Sequence, residues 1–242
     1  QFLLDADKAY TSTFVLGVGT DTADADGNTL RQASASHITQ DALVKAQAGL
    51  KGQIDQVPPM YSALKVDGKP LYKLARAGEQ VERKARAVII HRFDLLEFRA
   101  GEIATVDVAV LCSKGTYIRA LAEDLGAALG VPAHVSALRR CQSGPFDLST
   151  AVTLDHLSRQ RDQHSEQTLD ELLAPIEACM PQLPRVELSE AATFYIRKGQ
   201  PVVVPNGPQS GKVRIADAEG CFLGVGLVRE DGKLAPVRLL SQ

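Results

Sequence analysis

The chain contains no tryptophan, and five tyrosines and seven phenylalanines make up all of its aromatic residues. Its four cysteines, Cys112, Cys141, Cys179 and Cys221, are scattered without a C-x-x-C pair, and the five histidines do not cluster with them. That spacing argues against a structural zinc or a disulfide framework. No apolar run reaches the roughly 18 residues of a membrane span. The opening "QFLLDADKAY" lacks the basic-then-apolar order of a signal peptide, so a cytoplasmic protein is expected. A net charge of -2 names no partner by itself. There is no initiator Met, and the chain opens just ahead of what reads as a strand, from which a truncated beginning is expected.

What is present is an ordinary globular composition, 45% hydrophobic and 23% charged over 242 residues, enough for one good core and a smaller second domain. "YTSTFVLGV" places Tyr10, Phe14, Leu16 and Val18 on one face of a strand, and a polar, acidic loop follows. In "ITQDALVKAQAGLKG", Thr39 can cap a helix, Ile38 and Leu43 can form its hydrophobic staple, and Gly52 would stop it. "ARAVIIHRFDLLEF", "IATVDVAVLC" and "AHVSALRRC" read as strands, and the last two enclose a helix with Ile118, Leu121, Ala122, Leu125 and Leu129 at helical spacing. Arg119, about 100° round from Ile118, points off that apolar stripe. The order predicts an α+β domain with a mixed, mainly antiparallel sheet. A boundary is expected near 181–184, giving a domain over 1–182 and a small β-barrel over 183–242, with "EDGK" as a type I′ hairpin turn.

Several motifs fail on spacing. Aligning Gly27 in "DTADADGN" as a calcium-loop glycine puts Thr22 at the first ligand and Ala33 where the bidentate Glu belongs, which leaves a solvated acidic loop. "GVGTDT" lacks the third glycine of a dinucleotide turn, and "GPQSGK" is one residue short of a phosphate loop and leads into a strand.

A charge pattern survives. Between Pro58 and Arg92 eight basic residues face three acidic ones, a local charge of +5 in a chain of -2. Tyr61 and Tyr72 interleave with Lys65, Lys69, Lys73 and Arg76, and a helix from about Pro70 would align Lys69, Lys73 and Arg76. Arg139 and Arg140 add to the basic surface. Charge alone fits a solvated hairpin and helix as well as a nucleic-acid surface.

The segments "DKAYTSTFVLGVGTDTADADG", "VPPMYSALKVDGKPLYKLARAGEQVER", "CSKGTYIRALAEDLG" and "GVPAHVSALRR" resemble, in order and spacing, the bacterial tRNA pseudouridine synthase B (TruB) family. The tail resembles, more loosely, the PUA domain, a small RNA-binding barrel. The resemblance implies a cytoplasmic, monomeric isomerase that binds the T arm of tRNA, with an RNA-binding, thumb-like insertion at about 58–86. It would flip the T-loop uridine at position 55 and rejoin the base to ribose through carbon, using an aspartate nucleophile and no metal or cofactor.

By position, Tyr10 resembles the ring that stacks on the flipped base. Tyr117 and Leu138 match other pocket-lining positions, and Arg119 matches the partner of the nucleophilic aspartate, whose charged form a guanidinium favours. Read without the resemblance, Tyr10 fits sheet packing, Leu138 a core residue and Arg119 a surface cation. The family's G-x-L-D-P-x-A-x-G type loop is absent from these 242 residues, so no nucleophile is assigned and the chain alone is expected to be inactive. The competing expectations are a non-catalytic T-arm-binding protein or tRNA chaperone and a protein-interaction module.

Overall fold

Residues 3–163 and 169–240 are described by the computed structural model. They fall into two compact units, 3–149 and 150–240. In the first unit the chain forms β1 (Lys8–Leu16), β2 (Val18–Thr20), β3 (Thr29–Gln32), α1 (Gln40–Ala48), β4 (Gly52–Gln56), β5 (Lys65–Val66), β6 (Lys69–Pro70) and α2 (Leu71–Arg76). Then come β7 (Arg86–Arg99), β8 (Ala104–Cys112), α3 (Ile118–Ala128), β9 (Ala133–Ser143) and β10 (Phe146–Asp147).

Six of these strands build one sheet, in the order β10-β9-β1-β8-β7-β4, with every ladder antiparallel. β8 shows why. Ala104, Val106, Val108, Val110 and Cys112 alternate with less buried residues, so one face of the strand is fully covered. Phe14 and Leu16 of β1 and Phe93 of β7 share that core, and the Phe14 and Phe93 rings meet edge to face at 6.3 Å. Ile118, Leu121, Ala122 and Leu125 of α3 bury the stripe read from sequence, each large side chain contributing about 1.5–3 kcal/mol. Leu43 of α1 joins them from the other helix.

Thr39 caps α1 by accepting the Ala42 N–H, and Ile38 and Leu43 are both buried. The helix ends at Gly49 rather than at Gly52, which opens β4 instead. Gly17, at φ 103°, separates β1 from β2, and a Cβ there would sit 2.7 Å from the Ala33 carbonyl oxygen.

The second unit holds α4 (Leu154–Gln163), β11 (Arg185–Glu187), α5 (Glu190–Arg197), β12 (Val202–Val203), β13 (Gly211–Ala216), β14 (Phe222–Val228) and β15 (Lys233–Leu239). Ser189 caps α5, and Ile196 packs with Val186, Val213, Ile215 and Leu234 in a separate core. The sheet runs β11-β13-β14-β15-β12, with β11 and β13 parallel. Among the described residues no ladder joins β11 to β12, so this sheet is open where sequence rhythm suggested a closed barrel. The "EDGK" turn also differs from expectation. Type I′ needs positive φ at both central residues, but only Gly232 (φ 75°) has it, and Gly232 donates to the Arg229 carbonyl. No helix of the described residues is long and apolar enough to cross a membrane.

Candidate active site

The helix α3 begins without a side-chain cap. Tyr117, its N-cap, is extended at φ -104° and ψ 112°. The connection from β8 is fixed by Ser113, whose N–H donates to the Ile89 carbonyl and whose hydroxyl accepts the Ile89 N–H, both at 2.9 Å. Gln56, the last residue of β4, then meets the Tyr117 peptide with both ends of its amide, 2.8 Å from the N–H and 3.1 Å from the carbonyl.

Because Ile118 belongs to the buried stripe, Arg119 leaves it and reaches two other segments. Its Nη1 donates to Asp24 Oδ2 at 2.8 Å and to the Thr22 carbonyl at 3.1 Å, and its Nη2 donates to the Tyr61 carbonyl at 2.5 Å. Three of the five guanidinium donors are thus engaged among the described residues, leaving an Nη2 hydrogen and the Nε–H. Arg119 and Asp24 retain 22% and 27% of their side-chain exposure, so the ion pair is well shielded from water.

Asp24 is itself held in place. Its Oδ1 accepts from the Thr22 hydroxyl and the Asp26 N–H, and Asp24 bridges to Val135 of β9. Ala23 beside it is buried and adopts φ 58°, a left-handed backbone that a non-glycine residue rarely takes. The acidic loop read from sequence as solvated is therefore a structured turn that delivers one carboxylate to Arg119. Sequence carried no local signal for this pairing, because a loop with aspartates at 21, 24 and 26 looks the same whether it faces water or a cation.

Tyr10 sits opposite Val110 on one side and Arg140 on the other. It is half-buried, and burial raises the pKa of its hydroxyl, with Cys112 adding to the rise and Arg140 pulling against both through charge and a side-chain hydrogen bond. Leu138 opposes Ser12, two residues along, and is 49% exposed. Cross-strand neighbours share a face, so Tyr10, Leu138 and Arg140 line one side of the sheet. Arg139 opposes Thr11 and belongs to the other face, so the two adjacent arginines cannot serve a single surface.

Lys65, Lys69, Lys73 and Arg76 are all exposed. β5 and β6 form a two-residue hairpin and α2 starts only at Leu71, so Lys69 lies on the strand while Lys73 and Arg76 lie on the helix. The Arg76 guanidinium rests over the Tyr72 ring at 5.6 Å. The insertion is tied to the site, since the Tyr72 N–H donates to the Ser62 carbonyl, next to Tyr61.

Beside Arg119, a cavity of about 280 Å³ is lined by Thr22, Leu30, Arg31, Tyr61, Arg83 and Glu123 among others. Glu123, exposed as a residue, is one of the residues lining it. Desolvation there, followed by repulsion from Asp124, raises its pKa against the pull of Arg31, Arg83 and Arg119. A shielded guanidinium with donors to spare, near rings and an open basic surface, can hold an anionic group in a fixed orientation.

Solved structures share this architecture. The chain aligns with a Cbf5-Nop10-Gar1 complex at TM-score 0.67 and 23% identity, covering 100% of this chain and 68% of that one. It aligns with an H/ACA RNP bound to a substrate RNA containing 2′-deoxyuridine at TM-score 0.68 and 22% identity, covering 99% and 67%. The fold is the mixed α+β fold of pseudouridine synthases.

Family models extend this to the sequence. The N-terminal domain of TruB family pseudouridylate synthase matches residues 1–118, the tRNA pseudouridylate synthase B C-terminal domain 119–181, and the pseudouridine synthase II TruB C-terminal model 184–240. The chain is 48% identical over 246 residues to tRNA pseudouridine synthase B of Saccharophagus degradans, covering 100% of this chain and 79% of that protein. Against the proteins of the same name from Stutzerimonas stutzeri and Pseudomonas aeruginosa it is 50% and 49% identical, covering 99% of this chain and 77% and 78% of theirs. The chain belongs to the TruB family of pseudouridine synthases, which are isomerases.

Proposed function

We propose that the protein converts the uridine at position 55 in the T loop of tRNA to pseudouridine. The T arm docks on the basic insertion of about 58–86, through Lys65, Lys69, Lys73 and Arg76, and on Arg140. The target base leaves its stack to lie against Tyr10, with Tyr117 and Leu138 closing the pocket. The N1–C1′ bond breaks, the base turns, and a C5–C1′ bond forms as the C5 proton is lost and N1 gains one, so the product is an isomer. The tail over 183–242 is proposed as a PUA-like RNA-binding domain, and the protein as a cytoplasmic monomer.

The observation that supports this reading best is the Arg119 guanidinium, shielded, anchored to Asp24 and the Tyr61 carbonyl, with two N–H donors left over. Those donors suit a second carboxylate, the nucleophile. The family's G-x-L-D-P-x-A-x-G type loop is absent from these 242 residues, so this reading assigns the nucleophile to none of them and gives residues 1–242 binding without turnover.

The test is a T-arm stem-loop carrying uridine tritiated at C5, mixed with residues 1–242. Salt-sensitive binding without tritium release is expected, with release in a form of the protein that supplies the further aspartate. Release by residues 1–242 alone would transfer the nucleophile's role to Asp24. Absence of binding by folded protein would sink the RNA assignment.

A further inference from the structure

We infer that Gln56 is a positioning residue for this site: its buried amide fixes the first turn of α3, and with it the Tyr117 ring and the Arg119 guanidinium. The inference rests on the base-extruding reading above, but its geometry stands apart from it.

Gln56 is 2% exposed. Its Oε1 accepts the Tyr117 N–H at 2.8 Å and its Nε2 donates to the Tyr117 carbonyl at 3.1 Å. A primary amide has the donor and acceptor of a peptide group, so this closed pair reproduces what a neighbouring strand would offer an extended residue. Tyr117 is extended and has no capping side chain, so Gln56 supplies the support that a Ser or Asp cap gives elsewhere.

The same segment grips the helix twice. Five residues after Gln56, the Tyr61 carbonyl accepts from Arg119 Nη2. Between them Pro58 and Pro59 are buried with φ fixed by their rings, and Arg83 Nη1 donates to the Pro58 carbonyl at 3.0 Å. The two proline rings and this bond restrict the spacing of the two grips. Without the amide, the Tyr117 N–H would lose its partner in a largely dry place and its carbonyl would keep only the Leu121 N–H, so the peptide would turn toward water, carrying Arg119 out of line with Asp24. Among the described residues the Gln56 side-chain amide bonds the Tyr117 backbone alone, so it acts through Tyr117 and Arg119 and not on the reacting base.

The experiment uses residues 1–242 and a T-arm stem-loop with 2-aminopurine beside the T-loop uridine, whose fluorescence rises when the neighbouring base leaves the stack. Gln56→Met removes both hydrogen bonds at similar length. It should bind within about threefold of wild type, while the fluorescence rise falls roughly tenfold or more and amide exchange over 117–121 quickens by a similar factor. Gln56→Glu gives a rescue within one variant. Ionised at about pH 8 it opposes the Tyr117 carbonyl and should behave like Gln56→Met; near pH 5, where burial at this 2% exposed position favours the neutral carboxyl above its ordinary value of about 4.3, it regains a donor and should recover to within about threefold of wild type.

A role in folding alone would instead lower binding, fluorescence and melting temperature together. That result, or wild-type extrusion and exchange in Gln56→Met, overturns the inference, as does the absence of pH rescue in Gln56→Glu. If wild type binds without any fluorescence rise, the base-extruding reading fails. Gln56 is then judged by exchange over 117–121 and by the Arg119 side-chain NMR signals, which must both change in Gln56→Met.

Discussion

Arg119 Nη1 lies 2.8 Å from Asp24 Oδ2, joining two residues 95 positions apart in the chain. The pair is shielded enough that breaking it leaves a charge with poor access to water. It also links the first turn of α3 to the β2–β3 loop, while Tyr61 brings in the segment that leads to the basic insertion.

Asp24→Asn keeps the shape and removes the charge, and Arg119→Lys keeps the charge and removes the planar fork. Each is expected to lower turnover by roughly 100-fold or more in a form of the protein that turns over. Melting temperatures should fall by only a few degrees, about 2–4 °C for each kcal/mol lost. The double variant should cost less than the product of the two, since both remove one interaction. Wild-type turnover in Arg119→Lys would remove Arg119 from the reaction.

Tyr10→Ala is expected to abolish turnover while leaving tRNA affinity nearly intact, because one stacked base is a single contact among many phosphate contacts. Tyr10→Phe keeps the ring and separates stacking from the hydroxyl. Loss of affinity as large as the loss of rate would reassign Tyr10 to docking.

The same residue sets an alkaline signature. Burial raises its pKa above the ordinary 10.0, so on raising the pH the unfolded chain ionises first and the native state loses stability above that value. In Tyr10→Phe this contribution vanishes, and the fall in melting temperature between about pH 10 and pH 11 should be shallower than in wild type.

Binding of a T-arm stem-loop should weaken by roughly 40- to 150-fold between 50 and 200 mM salt if about three or four phosphates are neutralised. Lys73→Ala and Arg76→Ala should each reduce the slope of log affinity against log salt by about 1. Arg139→Ala should leave that slope closer to wild type than Arg140→Ala does, since the two lie on opposite faces of β9. Equal effects would show that RNA reaches both faces.

Gly126→Ala tests how closely α3 approaches β9. A Cβ there would sit 2.6 Å from the Ala133 Cβ and 2.7 Å from the Val131 carbonyl oxygen. Despite the better helix propensity of Ala, the variant is expected to be destabilised by about 1–3 kcal/mol, read by urea unfolding. Wild-type stability would mean that the helix can shift away at little cost.

Periodicity and capping chemistry are local, and they were legible. The two-residue alternation of β8, the apolar stripe of α3 and the Thr39 cap follow from residues within one turn or one strand of each other. Family membership was legible for a related reason, because four long segments hold their residue types in linear order. What the order of residues left open was every contact made across it. The acidic loop could face water or a cation until β9 bound Asp24 through Val135, and only then did its carboxylate meet Arg119. Arg139 and Arg140 looked like one patch, and the pleat of β9 sends them to opposite faces. Gln56 gave no signal at all, since a glutamine closing a strand is unremarkable until another backbone, 61 residues later, arrives with an uncapped N–H and a carbonyl within reach of its amide. Such pairings depend on strand register and helix placement, which the whole core sets together, so they belong to the tertiary structure alone.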